Sequence, residues 1–331
     1  MATYKCISVT RRGGPETLVV VEKELRSPAA GEARIRVLAT PVARDDVATR
    51  VGNRPFLPKV PFTPGYSLVG VVEAVGKGVS EVALGDHVAA LTQSGGHAEK
   101  AYLPAIDLVK VPASLDPGPA ATLILNYLVA YQILHRVANV KAGDKALIIG
   151  ASGGVGTAFL QLGRLAGLKM YGLASPAKHG ILYEHGAVPI DYHRQDFVAF
   201  LREAEPDGLH YVFNGMGEES FGPGLAVLRR GGTLVHYGGP ESLPHFIWLL
   251  VRYAWYNVIP NGKRIAGYGT HREDVTRMKE DWSVLFTMLE AEDIQPVIAA
   301  RIPLLEAKMA NELMESGQVI GNVVLVAPEG F

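Results

Sequence analysis

Apolar residues in this chain change rhythm part-way along. Up to about residue 115 they come in short, β-branched runs, at 17–22, 32–39, 68–75, 86–91 and 108–111. Turn signals separate them, among them Gly13-Gly14-Pro15, Pro64-Gly65, Gly76 with Gly78, and Gly95-Gly96. Runs of this length and punctuation predict a β-rich domain, a partly open barrel, with a short helix at 43–51. From about residue 116 helical spacing takes over. A linking helix is predicted over 119–138. Strand and helix patterns then alternate: strand 145–149, helix 155–166, strand 168–174, helix 176–185, strand 189–191, helix 195–204, strand 209–213, helix 219–229, strand 232–237. Such alternation means a parallel sheet with helices on both faces. A strand at 264–268 and an amphipathic helix over 272–291 follow. The tail reads strand 297–304, helix 305–316, strand 321–326, and is expected to return to the first domain. The domains expected are 1–118 with 297–331, and 119–296.

The alternating half is organised around Lys145-Ala-Leu-Ile-Ile-Gly150-Ala-Ser-Gly-Gly-Val-Gly156. A buried strand runs into glycines and then into a helix, the context that a dinucleotide-binding fingerprint requires. The glycines let the backbone approach a pyrophosphate, and the helix N-terminus offers N–H groups to it. The three fingerprint positions are Ala151, Gly153 and Gly156, with Ser152, Gly154 and Val155 between them. The competing reading is an ordinary strand–helix turn. The acid that usually accepts from the ribose 2′-OH of NAD, about 20 residues further on, is missing. No Asp or Glu occurs from 168 to 183. Ser175, Lys178 and His179 stand there instead, and can donate to a 2′-phosphate or bring it positive charge. This predicts NADPH over NADH. Asn214 with Gly215, and Tyr237-Gly238-Gly239, end two predicted strands on the cofactor side and are candidates for ribose and pyrophosphate contacts. Gly269 and Asn322, in later loops, extend that set.

Composition narrows the partners. The 331 residues carry a net charge of −1 and no basic run, so neither nucleic acid nor an anionic membrane is implied. A single cysteine, Cys6, permits no internal disulfide and no cysteine-built metal site, and fits a reducing cytoplasm. The most apolar stretch, 246–259, is too short to span a bilayer and contains Arg252.

With these features in place, the chain resembles the zinc-independent, quinone-oxidoreductase-like branch of the medium-chain dehydrogenase/reductases. The resemblance rests on Arg11-Arg-Gly-Gly-Pro-Glu16, Pro61-Phe-Thr-Pro-Gly65, Gly70-Val-Val-Glu-Ala-Val-Gly76, Gly85-Asp-His-Val88, Lys141-Ala-Gly-Asp144, the 151–156 turn, Gly231-Gly-Thr-Leu-Val235 and Gly321-Asn-Val-Val-Leu325. It implies an α/β protein: a GroES-like catalytic domain, a Rossmann domain with a doubly wound parallel sheet, a cleft between them, and a homodimer. It also implies NADPH-dependent reduction of an enone or quinone. Tyr192 sits where NADPH-using relatives place a tyrosine near the 2′-phosphate; the alternative makes it a packing residue and Lys178 a solvated one.

Zinc-dependent relatives bind metal at positions matching Ala43, Tyr66 with Ser67, and Leu125. Alanine and leucine cannot ligate, and a lone tyrosine is a poor zinc site. His87, His97, His135, His210 and His236 lack ligand spacing and read as structural. No metal is therefore expected. Hydride transfer to a conjugated carbonyl needs a hydrogen-bond donor at the oxygen and a proton source. Candidate donors are Tyr66, Asn126, Tyr127 and Tyr268. Relatives commonly carry Asn at Ala43, Thr at Val129 and a Tyr near Asn53–Arg54, and all three are missing, whereas Asp46 is retained. The pocket thus reads as less polar than usual. That suits a bulky apolar, polyketide-like substrate; it equally suits a cofactor-binding enzyme doing non-redox cyclisation or isomerisation, or an interaction protein without turnover. The aromatic segment 246–259 reads as cavity lining, a buried amphipathic helix or a subunit contact.

Overall fold

The structure is a computed structural model and describes residues 2–259, 262–270 and 275–328. The chain forms two compact units, Met1–Leu125 with Asp274–Phe331, and Asn126–Glu273.

In the first unit β1 (Thr3–Val9) pairs antiparallel with β2 (Leu18–Glu24). β3 (Glu32–Pro41) follows, its residues alternately half-buried and buried, with Ala33, Ile35, Val37 and Ala39 turned inward. This period of two is the mark of a strand with one face on the core. Helix α1 (Arg44–Val51) starts at Ala43, whose N–H donates to Asp46 Oδ2 at 2.9 Å. β4 (Ser67–Val75), β5 (His87–Leu91), β6 (Lys100–Pro104) and β7 (Val109–Lys110) continue the sheet. Helix α2 (Pro117–Thr122) has Pro117 in its first turn and Asp116 as cap, accepting from the Gly118 N–H at 2.9 Å. It runs into a π turn, Leu123–Tyr127, then α3 (Leu128–Gln132) and a second π turn, Ile133–Val137. The linking helix expected from the sequence is thus present, but wound wide in two places.

The second unit alternates strand and helix: β8 (Lys145–Ile149), α4 (Gly154–Leu165), β9 (Lys169–Leu173), α5 (His179–Glu184), β10 (Val188–Ile190), α6 (Phe197–Ala204), β11 (Leu209–Asn214), α7 (Phe221–Ala226), β12 (Leu228–His236), α8 (Leu243–Val258) and β13 (Arg264–Gly267). The strands are all parallel and lie in the order β10-β9-β8-β11-β12-β13. Counted from β8 this is 3-2-1-4-5-6, the doubly wound order of dinucleotide-binding sheets. Their inward runs, such as Ala146–Ile149, are apolar throughout because helices cover both faces.

The tail supplies α9 (Val275–Glu290), β14 (Ile298–Pro303), α10 (Ala307–Glu315) and β15 (Asn322–Val326). The expected start of the long helix at 272–274 lies outside the described residues. β14 and β15 complete the first unit's sheet in the order β14-β15-β3-β4-β5-β7, with β6 also pairing to β3. Helix α9, grouped with the second domain in the sequence reading, falls in the first unit. There the Trp282 indole donates to Ile124 O at 3.1 Å. An amphipathic pattern says that a helix packs, not what it packs on. Arg50, fully buried, ties the front of this unit to its tail. It donates to Gly13 O, pairs with Glu315 at 2.8 Å and reaches Asn311 Oδ1 at 3.4 Å.

Candidate cofactor and substrate site

Because the second sheet is wholly parallel, all its carboxyl ends lie along one edge. The strand order reverses between β8 and β11, which makes their carboxyl ends the switch point where such sheets take ligands. β8 ends at Ile149, and Gly150 turns the chain with φ +84, a left-handed conformation that favours glycine. Gly156 is required for a different reason. A Cβ there would lie 2.2 Å from Gly150 O and 2.6 Å from the Ala151 backbone, so helix and turn could not approach. At Gly153 the constraint is external. It is exposed with ordinary backbone angles, and a Cβ would meet only Gly150 O at 3.6 Å. No side chain caps α4, and its first backbone bond runs from the Thr157 N–H to Gly153 O at 2.8 Å. The N–H groups of Gly154, Val155 and Gly156 precede that bond and have no acceptor within the helix. A bare, uncapped helix start of this kind fits a pyrophosphate. Ser152 is half-buried beside it, and Ala151 is fully buried, its N–H on Leu173 O at 3.3 Å.

The adenosine-end candidates converge through strand register. β9 and β10 pair with Leu173 opposite Ile190. Ser175 and Tyr192 each stand two residues beyond this pair, at neighbouring strand ends. Ser175 is half-buried, and Tyr192 is exposed with its ring 4.2 Å from that of His193. Lys178 closes the short turn Pro176–Lys178, and partial burial pushes its ammonium below the usual lysine value. His179 turns away from this group toward Ala174 O, 3.1 Å from its Nε2.

At the ends of β11 and β12 the picture differs from expectation in one respect. Asn214 is fully buried and holds its own turn, accepting from the Met216 N–H at 2.9 Å and donating to Gly217 O at 3.2 Å. It shapes the loop more than it offers a contact. That loop carries Met216 toward Gly150, where a Cβ on Gly150 would lie 3.5 Å from the Met216 sulfur. The Tyr237 ring covers Gly215, and Gly238 lies against the His236 imidazole, with the exposed Gly239 after it. His236 Nδ1 is 2.7 Å from Tyr253 Oη and Nε2 is 3.2 Å from Met216 O. The carbonyl can only accept, which assigns the proton to Nε2. Burial pushes this imidazole down to about 4, so it is neutral. Neither Gly150 nor Met216 was singled out from sequence. The glycine next to the fingerprint was a visible signal, whereas the methionine had none.

The candidate donors fall in separate places. Tyr268, just beyond β13, has its hydroxyl on Gln132 Oε1 at 2.5 Å, within the second unit. Tyr127 is fully buried in the first π turn; burial pushes its phenol far above the usual range, and its hydroxyl has no hydrogen-bond partner among the described residues. Asn126 beside it is half-buried. Tyr66 and Asn322 belong to the first unit. Asn322 donates from its side chain to Val297 O at 2.9 Å. Tyr66 is 3% exposed and lies at the start of β4, next to a braced turn. Buried Asp46 accepts from the N–H groups of Ala43 (2.9 Å) and Gly65 (2.8 Å), so one carboxylate fixes both segments. Its neighbour His97 is also fully buried, with Nε2 3.9 Å from Asp46. Arg54, which sequence reasoning passed over, lies with its guanidinium 5.8 Å from the centre of the Tyr66 ring and with Nη2 on Asp45. Among the described residues no group of three or more His, Cys, Asp or Glu side chains could hold a metal ion.

The aromatic segment forms α8. It packs through Leu249, Tyr253 and Tyr256 and leaves Ile247, Val251, Trp255 and Val258 exposed on one stripe. α8 is thus amphipathic, with one packed face and one exposed. No helix among the described residues is long and apolar enough to cross a membrane.

Comparison with known proteins agrees with this architecture. The alcohol dehydrogenase GroES-like domain family matches residues 29–113, and the family described as zinc-binding dehydrogenase matches residues 185–325. The synaptic vesicle membrane protein VAT-1 homolog of Rattus norvegicus is 30% identical, over 97% of this chain and 84% of its own length. The quinone oxidoreductase of Sus scrofa is 30% identical, over 97% of both chains. A mycobacterial protein whose structure was solved complexed with NADPH is similar at a TM-score of 0.83 and 28% identity, over 98% of this chain and 99% of its own. On the strength of these full-length likenesses, the chain belongs to the quinone-oxidoreductase-like branch of the medium-chain dehydrogenase/reductase family.

Proposed function

We propose that this protein is an NADPH-dependent reductase of conjugated carbonyl compounds, enones or quinones, working without zinc and as a homodimer. The observation that carries the cofactor choice is the row of strand ends. The uncapped start of α4 takes the pyrophosphate, and Ser175, Lys178 and Tyr192 stand at the next two strand ends, with no acid after β9 from 174 to 183 to repel a 2′-phosphate. A bound NADPH supplies a hydride, two electrons with a hydrogen nucleus, to the substrate. The chain's part is to hold the pyrophosphate on the N–H groups of residues 154–156, to neutralise the 2′-phosphate with Lys178, and to receive charge that builds on the substrate. The zinc-free reading is supported by the donor set: Ala43 and Leu125 present only carbon where zinc-dependent relatives place ligands.

Fluorescence titration with NADPH and NADH, followed by absorbance at 340 nm with neutral quinones and enones, tests this reading. Tight NADPH binding with oxidation is the expected result. A Lys178→Glu variant should lose NADPH affinity about tenfold or more, the range of one charge-assisted contact, and leave NADH unchanged. Equal loss with both cofactors would put Lys178 away from the 2′-phosphate. Tight binding with no oxidation across the panel would favour the non-redox alternative, to which the apolar side chains of Ala43 and Val129, both buried, lend support.

A further inference from the structure

The segment Gly231-Gly-Thr-Leu-Val235 has no part in the cofactor turn, and two arginines, Arg229 and Arg230, precede it. They stand at the start of β12, on the amino edge of the second unit's sheet, opposite the edge that carries residues 150–156. The strand register slips there. Leu209 pairs with Leu228, and the next pair is Tyr211 with Thr233, so residues 229–232 bulge out opposite His210 alone. Gly231 turns the bulge with φ +80. Two further glycines let it sit close. A Cβ on Gly208 would lie 2.6 Å from the Arg229 backbone nitrogen, and one on Gly262 would lie 2.6 Å from Arg230 Cγ. The Gly231 N–H donates to Gly262 O, so the turn bearing the arginines is anchored on both sides.

The bulge forms one wall of an open groove of about 460 Å³, and the end of α6 forms another. Arg202, from the last turn of α6, lines it together with Arg229 and Arg230. All three are exposed, and none has a side-chain hydrogen bond or ion pair among the described residues. Two carboxylates also line the groove, and one is already spent. Glu205 is buried, with Lys145 at 2.5 Å, Lys169 at 2.6 Å and the Tyr171 hydroxyl at 2.6 Å. Burial alone would raise its carboxyl; the two lysines and the tyrosine outweigh that and bring it down to about 2. Only Asp207 is left to set against three arginines. Lys263 stands near as well: burial, and then the charge of Arg202, push its ammonium below the usual lysine value. The whole chain carries a net charge of −1, so this excess of cations is local.

Like charges held together on an anchored turn repel one another, and a bound anion relieves that repulsion. The arginine fork matches the oxygens of a phosphate, and three forks exceed what one phosphate can accept. We propose that this groove is a second anion site, taking a small molecule with two phosphate groups, apart from the pyrophosphate position on α4. The phosphates can be directly linked, as in a diphosphate, or carried at two ends of a sugar; the chemistry recognised is the same.

Calorimetric titration of the NADPH-saturated protein, with the α4 turn filled, tests this. The probes are pyrophosphate, fructose bisphosphate and inorganic phosphate. Wild type should bind one pyrophosphate or one bisphosphate per chain and hold phosphate far more weakly. The tighter of the first two tells linked phosphates from separated ones. Arg202→Gln, Arg229→Gln and Arg230→Gln should each weaken binding about tenfold or more, the range of one charge-assisted contact. Arg230→Lys, which keeps charge and loses the fork, should fall between wild type and Gln. These side chains are exposed, so the variants should fold and keep their NADPH affinity. Absence of saturable binding at millimolar probe, or equal binding by wild type and the Arg229→Gln/Arg230→Gln double variant, overturns the proposal. Phosphate bound as tightly as pyrophosphate and the bisphosphate overturns it too. The site does not depend on the reductase reading. Should NADPH fail to bind, the same comparison on the cofactor-free protein decides, because the double variant leaves the α4 turn intact.

Discussion

Glycines 153 and 156 are three residues apart in one turn and answer to different constraints. Gly156 is internal: its missing Cβ leaves room for Gly150 O. Gly156→Ala should destabilise the protein by about 1–3 kcal/mol, the usual cost of overpacking, measured as a lower denaturation midpoint. Gly153 faces outward with room for a side chain, so Gly153→Val should melt as wild type does and lose NADPH affinity. Unchanged affinity in that folded variant would remove the cofactor from this turn. His236 gives a pH dependence. Its imidazole titrates near 4 in the folded protein against the ordinary 6.5, because burial disfavours the charged form. The unfolded chain therefore takes up this proton first. Stability held at neutral pH is lost as pH falls from about 6.5 toward 4, by about 3 kcal/mol from this group. Urea unfolding at the two ends of that range should show it, and His236→Gln should remove that share of the slope.

Elements were legible in the sequence where their period was long or their punctuation clear. The six strands of the second sheet and the first four helices between them were present in the pattern, because a doubly wound sheet repeats one signal many times; α8 was only one of the alternatives for 246–259. β1 and β6 were not, since Thr3–Val9 and Lys100–Pro104 show no regular alternation. Helical spacing over 119–138 could not announce the two π turns, which arise from how the turns pack and leave the period nearly intact. Of the site, the residues of the α4 turn stood out because glycines repeat there. The contacts of Arg54 did not, because they depend on a fold that brings residues 45, 54 and 66 together. Helix α8 shows the same limit: its composition was plain and its exposure was not. It packs beside β13, which ends the sheet. The homodimer proposed above would use the apolar stripe of α8 and the edge of β13, which has no further strand partner among the described residues. Trp255→Glu should shift the mass in light scattering from dimer to monomer; a wild type already monomeric would end the homodimer proposal.

For the molecule as a whole, the two units differ in how they use the chain. The second is one continuous segment, Asn126–Glu273, whereas the first needs the segments on both sides of it. β15 lies between β14 and β3, and Arg50 has only the Gly13 carbonyl, and no counter-charge, until residues 311 and 315 are present. During synthesis, then, the order of maturation is the reverse of the usual N-terminal-first sequence. The nucleotide-binding half can close while the ribosome is still translating. The half made first must wait as an open sheet, with a cation at Arg50 still to be paired, until residues 298–326 have been made. Nascent chains stalled past residue 300 should yield a protease-resistant core from the middle of the sequence, with residues 1–125 still cleavable.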